Sequence, residues 1–151
     1  MKLTNAGNYP VIETEVVSPK SVNAVQQRLL KTNNCIVRGM GNGIGDGSLN
    51  KNLVLSVLGL DKIISFDSST GLLVAQSGVT LEDISNAFVP IGWFLATTPG
   101  TSKVSLGGAI AADVHGKNHH VVGSFSNHVL WFEIVTADGQ LVHCSANSNS
   151  D

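Results

Sequence analysis

Gly39, Gly41, Gly43, Gly45 and Gly47 alternate through the segment Val37 to Gly47, with Arg38, Met40, Asn42, Ile44 and Asp46 completing the run. Glycine loses more conformational freedom on folding than any other residue, so a cluster of five implies a requirement. A turn uses one or two glycines. Five suggest main chain wrapped around a ligand, and successive backbone N–H groups in such a loop suit a phosphate. The plainer reading is a flexible surface loop, which the regular alternation disfavours.

A second group of residues follows: Thr98-Pro-Gly100-Thr101, then Ser105, Leu106, Gly107 and Gly108, then His115-Gly116-Lys117-Asn118-His119-His120. Gly107-Gly108, followed by alanines, allows a helix start to lie close to another backbone or a flat ring. Free N–H groups at that start would favour an anion or a polarised carbonyl. A tightly packed helix with no ligand fits the same residues. His115 and His119 stand four apart, which raises a metal site. Helical zinc sites add a glutamate in His-Glu-x-x-His, whereas Lys117 here would repel a cation. No metal is expected. His128 and His143 lie in or beside strand-like runs and read as ordinary hydrogen-bonded histidines.

Other familiar chemistries are disfavoured. The dinucleotide pattern Gly-x-Gly-x-x-Gly would need glycine where Ile44 or Asp46 stands, and the Walker ending is missing. Gly47 to Asn52 is turn-like and opens no helix. Ser124 and Ser126 lack the Gly-x-Ser-x-Gly setting of a serine nucleophile.

The elements that must position these segments form an α+β pattern. Val11 to Val17 reads as a strand, and Ser18-Pro19 as the cap and first turn of a helix ending at Asn33-Asn34. Cys35 to Val37 is a short strand feeding the glycine loop. Leu53 to Val57 is another strand, and Ile63 to Phe66 pairs with Leu72 to Ala75 across a turn. Thr80-x-x-Asp83 predicts a capping box for a helix over Leu81–Phe88, closed by Pro90. Trp93 to Leu95 reads as a strand, and Ser105 to Ala112 as helical from Gly108 onward. Val129 to Val135 and Leu141 to Cys144 form a hairpin around Ala137-Asp-Gly139.

With 151 residues the chain suits one domain, 1–151. Charged residues make up 13% of it, against a usual value of about 25%. A net charge of −2 offers no field for nucleic acid or anionic lipid. Cys35 and Cys144 form no Cys-x-x-Cys pair and read as small hydrophobes. No apolar run approaches the roughly twenty residues that span a membrane, and the start lacks a secretory core. A cytoplasmic protein is expected. The final hairpin needs something packed against it, so a piece of a longer chain is expected too.

Arg38-Gly-x-Gly-x-x-x-Gly-Asp46, Pro99-Gly-Thr101 and Gly107-Gly-Ala-Ile-Ala-x-Asp113-x-His-Gly-Lys-Asn-His-His120 together resemble FAD-linked oxidoreductases of the vanillyl-alcohol-oxidase type. Gly123-Ser-Phe-x-Asn-His128 and Thr136-Ala-Asp-Gly139 extend the likeness across nearly the whole chain. The resemblance implies a PCMH-type α+β FAD-binding domain of two small subdomains with the cofactor between them. It implies that Val37 to Gly47 hold the diphosphate through backbone amides, with Arg38 the only nearby cation. Gly100, Ser105, Leu106, Gly107 and Gly108 would supply adenine-side and ring-side contacts. His115, Gly116, Lys117 and Asn118 would approach flavin and substrate, with His115 and then Lys117 as catalytic candidates.

In such enzymes a sugar or alcohol hydroxyl is oxidised to a carbonyl as hydride passes to flavin. Many relatives bond flavin covalently through a loop histidine. Asn42-Gly-Ile44 has none, so FAD should be non-covalent. Relatives also continue into a substrate domain, so a truncated chain, inactive alone, is expected. A missing C-terminal domain, another partner or a second copy would cover its interface. The rival expectation is a non-catalytic assembly module that keeps the fold without the cofactor.

Overall fold

A computed structural model describes residues 1–150. The chain begins with β1 (Lys2–Leu3) and β2 (Ile12–Glu13), an antiparallel pair that registers Lys2 with Glu13 and Leu3 with Ile12. After Thr14 it enters β3 (Glu15–Val17), crosses through α1 (Val22–Leu29), and returns as β4 (Ile36–Arg38). β5 (Leu53–Ser56) inserts between β3 and β4, parallel to both. Leu53, Val54 and Leu55 are buried on both faces of the sheet, as an unbroken apolar run in a parallel strand predicts. The connection from β4 to β5 contains no helix. It is the glycine loop, leaving the sheet at the carboxyl end of β4, where open parallel sheets place their ligands.

A second layer follows. β6 (Ile63–Asp67) and β7 (Leu72–Ala75) make a bulged antiparallel hairpin, with Asp67 at its turn. α2 (Leu81–Phe88) packs beside α3 (Leu106–Ala111), and α4 (His119–Val122) is a single short turn. Val79, Leu81, Ile84, Val104, Ala109 and Phe125 form the core here. The last hairpin, β8 (Trp131–Val135) with β9 (Leu141–Ser145), returns to α1. There Gln26 Nε2 donates to Gly139 O at 2.7 Å, and Leu30 packs against Gly139. Among the described residues no helix is long and apolar enough to cross a membrane.

The predicted capping box is present. Thr80 Oγ1 accepts from Asp83 N–H at 3.0 Å, and Asp83 Oδ2 accepts from Thr80 N–H at 3.0 Å. This fixes the first turn of α2, which carries buried Leu81 and Ile84 into the core. Thr80→Ala is expected to lower unfolding free energy by about 1 kcal/mol, read from urea denaturation.

Four local expectations are corrected. The strand over Val11–Val17 breaks at buried Thr14, because β2 serves the antiparallel pair and β3 the parallel sheet. α1 is capped by Ser21, whose Oγ accepts from Ala24 N–H, and it ends at Leu29. Ser18 is used elsewhere, donating to Ser56 O. Trp93 to Leu95 forms no strand. Its indole instead lies over Gly71 and edge-on to Phe66, ring centres 5.7 Å apart. α3 starts at Leu106 rather than Gly108, because Ser105 caps it.

Candidate functional site

The glycine loop has one side committed and one side open. Gly43 O accepts from Ala6 N–H at 3.3 Å, and Asp46 O accepts from Leu49 N–H at 2.8 Å. Gly45 O accepts from the Asn5 side chain at 2.9 Å. Among the described residues, no main-chain N–H from Gly41 to Asp46 donates to another protein group. Asn42 through Gly47 are exposed. With the Gly43 and Gly45 carbonyls drawn to residues 5 and 6, peptide planarity points the Ile44 and Asp46 N–H groups the other way, an arrangement compatible with an anion-binding main-chain cradle.

The five glycines do different jobs. Gly41 and Gly45 have φ of +75°, which favours glycine. A Cβ on Gly41 would also lie 2.5 Å from Arg38 Cζ. Gly39 needs its bareness for contact, since a Cβ would overlap Ser105 Oγ and sit 3.2 Å from Ser105 Cβ. Gly43 and Gly47 have neither restriction, and their lack of side chains simply leaves the outer surface clear. Val37, exposed in β4, and Met40, also exposed, flank the entry to the loop. Ile44 projects from its tip with 93% of its surface exposed.

Arg38 does not reach outward over the loop. Its guanidinium donates to Asn5 Oδ1, to Thr4 O at 2.7 Å and to Ser48 Oγ at 3.1 Å. Desolvation by burial lowers its pKa from the ordinary guanidinium value. The charge therefore underlies the loop as a fixed brace.

The second glycine segment joins the first. Besides the Gly39–Ser105 approach, Asn42 Nδ2 donates to Lys103 O. Close backbone approach at the start of α3 is also present, because a Cβ on Gly107 would lie 2.9 Å from Ser77 Cβ. The expectation of free amides there is corrected. Leu106 N–H donates to Val79 O at 2.7 Å and Gly107 N–H to Ser77 O at 2.8 Å. Gly108 N–H takes Ser105 Oγ. Packing α3 against the strand-like segment before α2 consumes the donors that an isolated helix would leave open. Gly100 lies on an open groove with Leu81, Ser85, Phe94, Thr98 and Thr101.

His115 to Asn118 form a turn pinned to the segment 96–98. Gly116 is buried and donates its N–H to Thr97 Oγ1 at 3.1 Å, while Asn118 Nδ2 donates to Ala96 O at 3.0 Å. His115 and Lys117 are left exposed on either side. The His115 and His119 rings are tilted at 5.0 Å, and His119 Nδ1 lies 2.9 Å from Gly116 O. Asp113 precedes them at φ +41° and accepts from Ser126 N–H at 2.9 Å. That bond, with Ser124 and Ser126 hydroxyls and the nearby His115, holds its carboxyl below the ordinary range. Among the described residues no three His, Cys, Asp or Glu side chains converge on a metal position. His128 Nε2 lies 2.9 Å from Val122 O, and His143 stacks on Trp131.

Sequence reading missed Asn5, Ser48, Ser77 and Thr97, polar residues that hold these segments in place. Asn5 and Thr97 are each 3% exposed. Nothing in their spacing marks them, because each partner is remote in the chain.

A parallel-sheet loop with uncommitted amides thus adjoins a glycine-started helix that leads into a histidine turn. The FAD binding domain family matches residues 14–145, and the chain belongs to it. It is similar to decaprenylphosphoryl-beta-D-ribose oxidase of Mycolicibacterium smegmatis, at 43% identity over 118 residues. That match covers 77% of this chain and 26% of that protein. A putative D-arabinono-1,4-lactone oxidase of Neurospora crassa is 27% identical, with 98% of this chain and 27% of that one covered. A probable mitochondrial D-2-hydroxyglutarate dehydrogenase of Oryza sativa is 29% identical, covering 90% and 26%. In fold, the chain is similar to Physcomitrella patens BBE-like 1, with a TM-score of 0.77 at 21% identity, covering 89% of this chain and 30% of that one. The expected PCMH-type α+β FAD-binding fold is borne out. The chain spans about a quarter of the length of these curated relatives.

Proposed function

We propose that this domain holds FAD non-covalently for an oxidoreductase that converts a sugar or alcohol hydroxyl to a carbonyl. The observation carrying the reading is the row of uncommitted amides from Gly41 to Asp46, beside a half-buried, hydrogen-bonded guanidinium. A diphosphate fits that donor set. It needs several N–H groups at close range and no side chain in the way. FAD, when bound, supplies the two-electron acceptor for the oxidation.

Val37 to Gly47 would form the diphosphate wall, with Gly39 pressed against Ser105. Gly100 and Ser105 to Gly108 would contribute shape rather than free amides. The exposed side chains of His115 and Lys117, on a turn held by buried Gly116, are the polar groups available to a substrate hydroxyl. Asn118 fixes that turn. An imidazole within hydrogen-bond reach of a hydroxyl can take its proton. The three relatives are named for ribose, lactone and hydroxy-acid chemistry, which supports a cofactor-holding role for the shared quarter.

Exposed Leu130, Trp131, Phe132, Ile134 and Leu141 along the last hairpin favour a covering substrate domain of the kind that longer relatives have room for. Calorimetric titration with FAD is expected to show one-to-one binding, and denaturation should release all flavin into the filtrate. Absence of bound flavin would defeat the proposal. A colourless dimer by light scattering, indifferent to FAD, would favour the assembly-module reading instead.

A further inference from the structure

We propose that Asn5 is a positioning residue of the glycine loop, turning the N–H groups of Ile44 and Asp46 outward as its principal anion donors. This rests on the reading of the loop as a diphosphate site. The segment that carries Asn5 precedes the family match, which begins at residue 14.

Asn5 is 3% exposed, and its side chain is engaged at both ends. Its Oδ1 accepts from Arg38 Nη1 and from Ser48 Oγ, the latter at 2.9 Å. Its Nδ2 donates to Gly45 O at 2.9 Å. The next residue, Ala6, donates its N–H to Gly43 O at 3.3 Å. Thr4 O is a further acceptor for Arg38. Thr4, Asn5 and Ala6 thus line the inner wall of the loop. They are held there by the β1–β2 pairing and by the Met1 ammonium, which donates to Thr14 O at 2.7 Å.

Peptide planarity turns this wall into a statement about the outer face. In a trans peptide the C=O of one residue and the N–H of the next point in opposite directions. Drawing Gly43 O inward therefore sends Ile44 N–H outward, and drawing Gly45 O inward sends Asp46 N–H outward. The Asn5 amide is uniquely suited because it must accept from Arg38 and Ser48 while donating to Gly45 O. Neither Asp nor Ser can do both in the same geometry. The buried network also fixes the Arg38 charge under the loop, where it adds to the outward field instead of pairing with one ligand oxygen.

The test compares the full chain with Asn5→Asp, which keeps the acceptors for Arg38 and Ser48 but cannot donate to Gly45 O. Backbone ¹⁵N relaxation without ligand is expected to show order parameters at Ile44 to Gly47 falling below about 0.6 in the variant. Those of β8 and β9 should not change. FAD affinity of the variant is expected to drop about tenfold. In the parent chain, titration with inorganic pyrophosphate should shift the Ile44 and Asp46 amide resonances more than those of Gly107 and Gly108.

Unchanged order parameters in Asn5→Asp overturn the proposal, whatever FAD does. If that variant does not fold, the pyrophosphate titration of the parent decides: Ile44 and Asp46 amide shifts no larger than those of Gly107 and Gly108 overturn the proposal. A parent chain that binds no FAD sinks the functional reading alone, because the relaxation comparison still decides the role of Asn5.

Discussion

Gly41→Val is expected to weaken FAD binding by about a hundredfold or more, whereas Gly43→Ala, which adds one methyl at an unstrained position, should weaken it far less. Two effects combine at Gly41. Its φ of +75° is a region that β-branched residues adopt only under strain, of order 1–3 kcal/mol. The new Cβ would also meet the Arg38 guanidinium. A long side chain ordinarily swings away at little cost, but this one is held by Asn5, Thr4 O and Ser48. Relief must come from moving the loop or breaking the brace. Either change turns the amides away from a common centre. Gly43 is the internal control, with ordinary φ and nothing nearer than 3.9 Å, the Asn5 Nδ2. Calorimetry with FAD, or with ADP as a shorter diphosphate, reads the difference. Equal affinity in the two variants would refute the loop geometry.

Gly116→Ala is the change expected to damage the histidine turn most. An added Cβ would lie 2.6 Å from Thr98 O, 2.8 Å from Asn118 Oδ1 and 3.3 Å from Thr97 Oγ1. The first of these is a main-chain atom that cannot rotate aside. The second belongs to the side chain tying the turn to Ala96 O. Overpacking of this kind costs roughly 1–3 kcal/mol, and urea denaturation should report a loss in that range. The His115 and His119 ring signals should shift at the same time, because His119 Nδ1 contacts Gly116 O and the rings lie 5.0 Å apart. A variant as stable as the parent with unmoved histidine signals would contradict the packing described.

In the proposed reading, the loop lets a chain of net charge −2 attract a diphosphate. The attraction needs no cluster of lysines. It arises from main-chain dipoles at short range and from one half-buried guanidinium held by Asn5, Thr4 O and Ser48, and such partly buried charges are screened by salt less than exposed ones. Asp46 and Asp113 sit in the same segments and work against any diffuse positive field. Only local geometry can select the anion here.

The features legible in the sequence were those written within a few residues of one another. The alternation from Gly39 to Gly47, the Thr80–Asp83 box and the hairpin around Gly139 each depend on neighbours in the chain. Backbone preference and short-range hydrogen bonding set them before any tertiary contact forms. Other features turned on partners brought together only by folding. Asn5 reaches Gly45 across 40 positions, and Asn42 reaches Lys103 across 61. The same is true of the α3 amides, which look free along the helix but are taken by Ser77 O and Val79 O. A buried polar group must be satisfied by whatever lies beside it in space, and spacing in the chain carries no record of that neighbour. The amino-acid order thus determined that a glycine-built main-chain surface would exist. Tertiary packing decided which way its amides face, because the residues that draw the carbonyls, Asn5 and Ala6, stand far from the loop in sequence.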